Sequence, residues 1–190
     1  MSPAVIEKLW TIGHSTRSWE EFLALLVDAQ IETLVDVRRF AGSRRNPQFS
    51  GAVMGAALAR ASIVYVPMPA LGGRRPTHAR SHNLAWRSAG LRGYADYMET
   101  AAYQQARQQL VETAQSRRTS VMCAEALWWQ CHRSLISDDF KARGWEVVHL
   151  LSRARQELHP YTSAARIVDG QLDYTLPVDP LPASPQQSLF

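Results

Sequence analysis

The chain of 190 residues has little cysteine, little lysine and no long apolar run. Two cysteines are too few for a disulfide framework, so a reducing cytosol would leave both as thiols unless they bind metal or undergo redox chemistry. No stretch of about eighteen apolar residues is present, and residues 1–7 lack the basic start and apolar core of a secretory signal. We therefore expect a cytoplasmic protein that does not enter a membrane.

The basic residues are almost all arginine, because Lys8 and Lys141 are the only lysines among 21 basic side chains. The formal net charge is only +4, with an isoelectric point near 9.4. Arginine presents a planar fork of donors that fits carboxylate or phosphate, so this preference predicts specific contacts to an anion. The alternative is that the arginines lie on exposed loops and hold neighbouring backbone carbonyls. Nine of them are clustered in one third of the chain: Arg38, Arg39, Arg44, Arg45, Arg74, Arg75, Arg80, Arg87 and Arg92.

Short apolar, β-branched runs alternate with segments of helical periodicity, and this alternation is typical of βαβ units. The predicted strands span residues 8–12, 31–37, 63–66, 119–123 and 146–151. The predicted helices span residues 18–29, 50–60, 94–98, 103–114 and 134–143. We expect a single three-layer αβα domain over residues 1–176 with a mainly parallel central sheet. Asp169-Gly170 predicts a small C-terminal β-hairpin, and the Pro-rich residues 177–190 predict a disordered tail.

The stretch from Val121 to Ser134 crowds two thiols, a carboxylate, an imidazole and a guanidinium into one strand-to-helix junction. The carboxyl ends of parallel strands meet at one edge of a sheet, where ligands bind in open α/β folds. Positive charge nearby should make the Cys123 thiol more acidic, although a thiol that ends an apolar strand is often only a small buried hydrophobe. The predicted catalytic residues are Cys123, Glu125 and His14. The predicted anion-binding residues are Ser15, Arg38, Arg39, Arg44, Arg45, Arg74, Arg75, Tyr94, Tyr97, His132 and Arg133.

Six motifs occur in order along the chain: T-I-G-H-S from Thr11, L-V-D-V-R-R from Leu34, S-R-R-N-P-Q-F from Ser43, L-G-G-R-R from Leu71, Y-A-D-Y-M from Tyr94, and M-C-A-E with C-H-R-S from Met122. Together they resemble the bacterial and archaeal family known as domain of unknown function 488. The resemblance runs from about Leu9 to His159. It implies a single α/β domain and brings no established reaction. Phe40-Ala41-Gly42 departs from the family pattern, which has a proline after the paired arginines.

Three classes of function stay open. The first is a cysteine-dependent or acid/base-dependent hydrolase or transferase acting on a phosphate-containing small molecule, nucleotide or nucleic-acid end. A simple phosphatase or sulfurtransferase loop would bring an arginine back within about one turn of its cysteine, whereas Arg133 follows Cys123 by ten positions. A distant rhodanese-like arrangement remains compatible with the Asp-Val-Arg strand and the later cysteine loop.

The second class is a nucleic-acid-binding module without catalysis, indicated by arginines interleaved with aromatic residues. The third is a metal site formed by Cys123, Cys131 and His132, although seven residues separate the two cysteines and this spacing is wider than the usual zinc knuckle. We predict no cofactor, and a small anionic substrate or a nucleic acid as the partner. The sequence does not indicate the oligomeric state.

Overall fold

The computed structural model describes residues 7–177, whose main sheet has six strands in the order β3-β2-β4-β1-β5-β6. The strands are β1 Lys8–Gly13, β2 Thr33–Asp36, β3 Val64–Pro67, β4 Thr119–Cys123, β5 Glu146–Ser152 and β6 Arg155–Leu158. The first five are parallel, and β6 runs antiparallel to β5. The predicted mainly parallel sheet is confirmed.

Five α-helices connect the strands: α1 Trp19–Asp28, α2 Gly51–Arg60, α3 Ala89–Met98, α4 Ala101–Ser116 and α5 Arg133–Ala142. Two of them begin at side-chain caps, since the Ser18 hydroxyl accepts the N–H of Glu21 and the Thr100 hydroxyl accepts that of Tyr103. Within the described residues, no helix is long and apolar enough to span a membrane.

The helices cover both faces of the sheet and create two apolar cores. One core joins α1 and α2 to Trp10 and Ile12, and the other joins α3, α4 and α5 to Leu9 and Val121. Neighbouring residues of a strand point to opposite faces, so even-numbered positions of β1 face α1 and odd-numbered ones face α5. The three-layer α/β prediction is confirmed.

A two-stranded antiparallel sheet follows, formed by β7 Arg166–Val168 and β8 Gln171–Asp173. The turn between these strands places Asp169 at φ 49° and Gly170 at φ 76°, the left-handed conformations that a two-residue hairpin requires. The predicted C-terminal hairpin is confirmed. Residues 178–190 of the predicted disordered tail lie outside the described part of the chain, and a single domain over residues 1–176 stays a prediction.

Some element bounds differ from the expectation. Strand β2 is four residues long rather than seven, and α3 begins at Ala89, five residues before its predicted start. The antiparallel strand β6 was not predicted, because its sequence R-Q-E-L is polar and largely exposed at the edge of the sheet. Edge strands commonly carry such charged residues.

Candidate functional site

The loops after β1, β2 and β4 meet at the carboxyl edge of the sheet. Backbone hydrogen bonds join them beyond the strand ends: the N–H of His14 donates to the Cys123 carbonyl (3.1 Å) and that of Val37 to the Met122 carbonyl (3.0 Å). The chain leaves β1 toward the α1 face and leaves β4 toward the α5 face, so a topological switch point lies between these neighbouring strands.

Gly13 allows the loop after β4 to lie directly on the end of β1. A Cβ atom at this position would be 1.8 Å from the carbonyl oxygen of Glu125 and 2.7 Å from its carbonyl carbon. Both atoms belong to the backbone, so a side chain here would displace the loop. Residues 124–126 therefore fill the part of the crevice next to β1, and they leave the Glu125 side chain exposed.

On the α1 face, a buried ion pair occupies the end of β2. The Asp36 carboxylate accepts hydrogen bonds from Arg38 Nε (2.9 Å), Arg38 Nη2 (2.6 Å) and the Arg38 backbone N–H (3.0 Å). The Tyr65 hydroxyl donates to the same carboxylate at 2.7 Å. Burial lowers the pKa of Arg38, but hydrogen bonding to Asp36 outweighs burial and leaves that pKa raised. Arg38 is thus positively charged, and the Asp36 carboxylate balances its charge.

His14 lies beside this pair and is only 3% exposed. Its Nδ1 must carry the proton, because it lies 2.9 Å from the Ser15 carbonyl, which can only accept. The Nε2 lone pair then faces Arg38 Nη1 at 3.3 Å, and the ring stacks on Phe49 at 4.5 Å. Burial lowers the pKa of His14. Both ring nitrogens of this predicted catalytic residue are therefore bonded in the neutral state.

On the α5 face, the two thiols meet. Cys123 ends β4, Cys131 precedes α5, and their Sγ atoms are 2.8 Å apart in a buried setting. Burial raises the pKa of Cys123 well above its usual value, opposite to the expected acidification of this thiol. Burial also raises the pKa of Cys131, but the Cys123 hydrogen bond and the Arg133 charge outweigh it and bring that pKa to about 7. The acidic thiol is Cys131.

His132 is placed to exchange a proton with this thiol. Its Nε2 donates to the Val37 carbonyl at 3.1 Å, which leaves the Nδ1 lone pair 3.5 Å from Cys131 Sγ when the ring is neutral. Burial lowers the pKa of His132, so the neutral ring is favoured. The first N–H of α5, that of Arg133, lies 3.4 Å from the same sulfur. Cys131 and His132 form the arrangement of a thiol and its base.

Arg133 is the largest fully buried side chain at this edge and fastens the loop after β4. Its Nη2 donates to the carbonyls of Glu125 (2.8 Å) and Ala126 (3.2 Å), and its Nη1 donates to the Thr11 hydroxyl (3.4 Å). Its Nε has no hydrogen-bond partner among residues 7–177. Anion binding by Arg133, as predicted from the sequence, would have to compete with its hydrogen bonds to these backbone carbonyls.

A buried row of hydrogen bonds runs from Thr11 through two histidines to Asp138. Thr11 Oγ1 lies 2.7 Å from His149 Nδ1, His149 Nε2 lies 2.9 Å from His159 Nδ1, and His159 Nε2 lies 2.9 Å from Asp138. One assignment of protons satisfies every bond: Thr11 donates to His149, His149 donates to His159, and His159 donates to the Asp138 carboxylate. Both imidazoles are neutral in this assignment. Burial lowers the pKa of His149 to about 2, in agreement with a neutral ring.

The sequence analysis did not predict this row of hydrogen bonds. Four residues of it were not among the predicted catalytic and anion-binding residues: Thr11, Asp138, His149 and His159. The available signal was a histidine inside the apolar run of β5, since a polar side chain buried on a sheet face needs a partner.

The predicted arginines fall into two groups. Arg38, Arg75 and Arg133 bond to groups of the fold. Arg38 and Arg133 are buried, and Arg38 pairs with a carboxylate. Arg75 matches the alternative interpretation, because it donates to the carbonyls of Gly72 (2.9 Å) and Ala70 (3.1 Å), and its guanidinium lies over the Tyr97 ring at 3.7 Å. The second group is exposed and comprises Arg39, Arg44, Arg45 and Arg74.

The exposed arginines lie on loops that are fixed to the same edge. Arg39 Nη1 donates to the Arg74 carbonyl at 2.8 Å, while the side chains of Arg44, Arg45 and Arg74 make no hydrogen bond or ion pair with residues 7–177. Tyr94 and Tyr97 anchor the loop after β3, because their hydroxyls donate to the Leu71 carbonyl (2.7 Å) and the Ala70 carbonyl (2.6 Å). The hydroxyl protons of both tyrosines are therefore already donated to backbone carbonyls.

The predicted site is divided between the two faces of the sheet. In the parallel pairing Cys123 lies beside Gly13, and Met122 lies beside Asp36. Paired residues point to the same face, so His14 and Asp36 project toward α1 and α2, whereas Cys123 projects toward α5. The backbones of all three segments are hydrogen-bonded at one edge, but the imidazole of His14 and the thiol of Cys123 do not share one pocket.

No group of three or more His, Cys, Asp and Glu side chains arranged to hold a metal ion occurs among residues 7–177. Cys123, Cys131 and His132 are nonetheless brought together, so the sequence-based metal alternative stays a prediction. The His132 nitrogen that faces Cys131 is the one free of the Val37 carbonyl.

Comparison with known families agrees with the motifs in the sequence. A family model described as "Domain of unknown function DUF488" matches residues 18–139, which is more than half of the chain. This range includes the loops after β2, β3 and β4 and ends within α5. No curated protein and no solved structure matches the chain.

Proposed function

We propose that this chain, which belongs to the family described as "Domain of unknown function DUF488", has an anion-binding site at the carboxyl edge of its sheet. The site would serve an enzyme that acts on a phosphate-containing small molecule, nucleotide or nucleic-acid end. The observation that carries this proposal is the Cys131 thiol, which lies between His132 Nδ1 and the first N–H of α5 at an edge bordered by exposed guanidinium groups.

The anion would bind to the exposed arginines of the loops after β2 and β3. Exposed positive charges on neighbouring loops favour an anionic ligand, and the planar guanidinium group pairs well with phosphate oxygens. The bond from Arg39 to the Arg74 carbonyl keeps the two loops adjacent, so their side chains can act on one ligand. Arg38 would not bind the anion directly, because Asp36 and His14 already occupy its three side-chain nitrogens.

Cys131 is the proposed nucleophile, with His132 as its base. Cys123, which we predicted as a catalytic residue from sequence, lies 2.8 Å from Cys131 and would donate its S–H to the thiolate there. Cys131 is 4% exposed, so a substrate reaches its sulfur only when residues 124–130 move. The exposed Glu125 carboxylate lies on the loop after β4 and would act as the acid or base toward a leaving group.

The binding part of the proposal is tested with inorganic pyrophosphate as the probe. Replacing Arg44 and Arg45 by alanine should weaken pyrophosphate binding, measured by titration calorimetry, by at least about tenfold, because a lost charge-assisted hydrogen bond costs about 1.5–3 kcal/mol. The matched control replaces Arg60 and Arg117, two exposed arginines at the opposite end of the strands. Equal affinity in the two double variants would refute the placement of the anion site.

The thiol part is tested by protection from alkylation. Saturating pyrophosphate should slow the reaction of Cys131 with iodoacetamide in the wild-type chain, because the anion occupies the approach to the thiol. An unchanged alkylation rate at saturation would separate the anion site from Cys131 and overturn the combined site.

Salt dependence separates an enzyme site for small anions from the nucleic-acid alternative. A 5′-phosphorylated single-stranded DNA oligonucleotide would lose affinity steeply and linearly with the logarithm of salt concentration if the loops followed a phosphate backbone. The proposed site predicts that the oligonucleotide and pyrophosphate show similarly shallow salt dependence, since only the terminal phosphate is held.

A further inference from the structure

The two thiols differ in character although they touch. Cys123 is enclosed by the apolar core beneath α5, and its sulfur lies 2.8 Å from Cys131 Sγ and 3.8 Å from the Glu125 carbonyl oxygen. Cys131 lies at the start of a helix, where the Arg133 N–H and the Arg133 charge favour an anionic sulfur. One sulfur is thus a nucleophile near neutral pH and the other is a protonated neighbour in contact with it.

This arrangement suits a reaction in which one sulfur is oxidised and the other resolves the product. We propose that Cys123 and Cys131 are a reversible oxidation site, at which hydrogen peroxide oxidises Cys131 and Cys123 then closes an internal disulfide. The proposal shares the Cys131 thiol with the proposed function, but it does not need the anion site, because oxidation by peroxide requires only the sulfur pair.

The reaction has two balanced steps. In the first, the Cys131 thiolate attacks one peroxide oxygen, the O–O bond breaks, and the departing hydroxide takes up a proton to become water, which leaves a sulfenic acid on Cys131. In the second, the Cys123 sulfur attacks Cys131 Sγ, the S–O bond breaks, and the hydroxyl group leaves as water with the Cys123 proton. Two thiols and one hydrogen peroxide become one disulfide and two waters, so the sulfur pair loses the two electrons that the peroxide gains.

Burial selects the oxidant. The exposed fractions are 1% for Cys123 and 4% for Cys131, so a bulky disulfide such as oxidised glutathione cannot place its sulfur in line with either thiol unless the loop after β4 opens. Hydrogen peroxide is little larger than water. The contact of 2.8 Å between the sulfurs also favours closure over further oxidation, because the resolving thiol is already beside the sulfenic acid.

The pair is tested on the intact chain. The protein is reduced with dithiothreitol, the dithiothreitol is removed, and hydrogen peroxide is added. The remaining thiols are then alkylated. Mass spectrometry measures the mass of the tryptic peptide from Thr119 to Arg133, which contains both cysteines. We expect this peptide to lose two hydrogen atoms and both alkylation sites, and to recover them after dithiothreitol. Two free thiols at a peroxide concentration that oxidises Cys131 in the Cys123→Ser variant would overturn the proposal.

Two variants test the asymmetry. In Cys123→Ser the Cys131 sulfenic acid has no resolving partner, so dimedone should trap it. In Cys131→Ser the remaining thiol is the less acidic one, and we expect its oxidation at pH 7 to be at least about tenfold slower, because the reacting species is the thiolate. Equal reactivity of the two single variants, or a disulfide only between two chains, would refute the assigned roles. The wild-type peptide mass decides the pairing even if a variant fails to fold.

Discussion

Replacing Asp36 by asparagine should destabilise the fold far more than the same change at a surface ion pair. Asp36 is 1% exposed, and it accepts hydrogen bonds from three donors of Arg38 and from the Tyr65 hydroxyl. Asparagine keeps the shape but removes the charge and turns one acceptor into a donor. The guanidinium of Arg38, whose side chain is 7% exposed, is then left as an uncompensated buried charge.

The expected cost is about 3–5 kcal/mol of unfolding free energy, the usual result of removing one partner of a buried pair. Asp28 supplies the control, since it pairs with Arg153 at 2.8 Å but the two side chains are 41% and 69% exposed. Solvent screens that pair, so Asp28→Asn should cost no more than about 1 kcal/mol.

Urea unfolding followed by tryptophan fluorescence measures both variants on one scale. A second measurement connects the pair to the proposed site. Arg38 begins the loop that carries Arg39, Arg44 and Arg45, so Asp36→Asn should also weaken pyrophosphate binding under conditions in which the variant is folded. An Asp36→Asn cost no larger than that of Asp28→Asn would show that the pair is effectively solvated and would refute the reasoning.

Two further predictions concern the loop after β4 and the buried histidines. Gly13→Ala should lower stability by several kcal/mol in urea unfolding and expose the thiols to alkylation, because its Cβ would meet backbone atoms of Glu125, whereas Gly42→Ala, with nothing within 4 Å, should do neither. Burial lowers the folded-state pKa of His149 to about 2 from 6.5, so its neutral form stabilises the fold above pH 6.5 and that stability is lost as the pH falls toward 2. His149→Gln should therefore remove about 1.4 kcal/mol per pH unit from the slope of unfolding free energy between about pH 6 and pH 4, and an unchanged slope would contradict the neutral ring.

The parts of the fold that were predictable depend on local signals. The Ser18 cap marks the start of α1, and the apolar run of β4 indicates a strand buried on both faces. Helices between such strands require parallel pairing, which brings the strand ends to one edge. None of these inferences needs knowledge of which strands are neighbours, and all of them are confirmed.

The division of the site between two faces could not be predicted, because it depends on strand order and register. The sequence shows that His14 and Cys123 each lie at the end of a strand, but not that Cys123 pairs with Gly13 rather than with His14. A shift of one residue would reverse the face on which Cys123 lies. The role of Arg75 was equally hidden, since its partners are carbonyls within a loop that lacks periodicity.

Strand register also decides which histidine lies on the same face of the sheet as the Cys131 thiol. His14 faces α1 and gives both nitrogens to Ser15 and Arg38, so it can reach neither sulfur without breaking two hydrogen bonds and crossing the sheet. His132 lies on the thiol face with one nitrogen fixed by Val37 and the other directed at Cys131. Catalysis at this edge would therefore use Cys131 and His132, while His14 and Arg38 hold the loop that presents the exposed arginines.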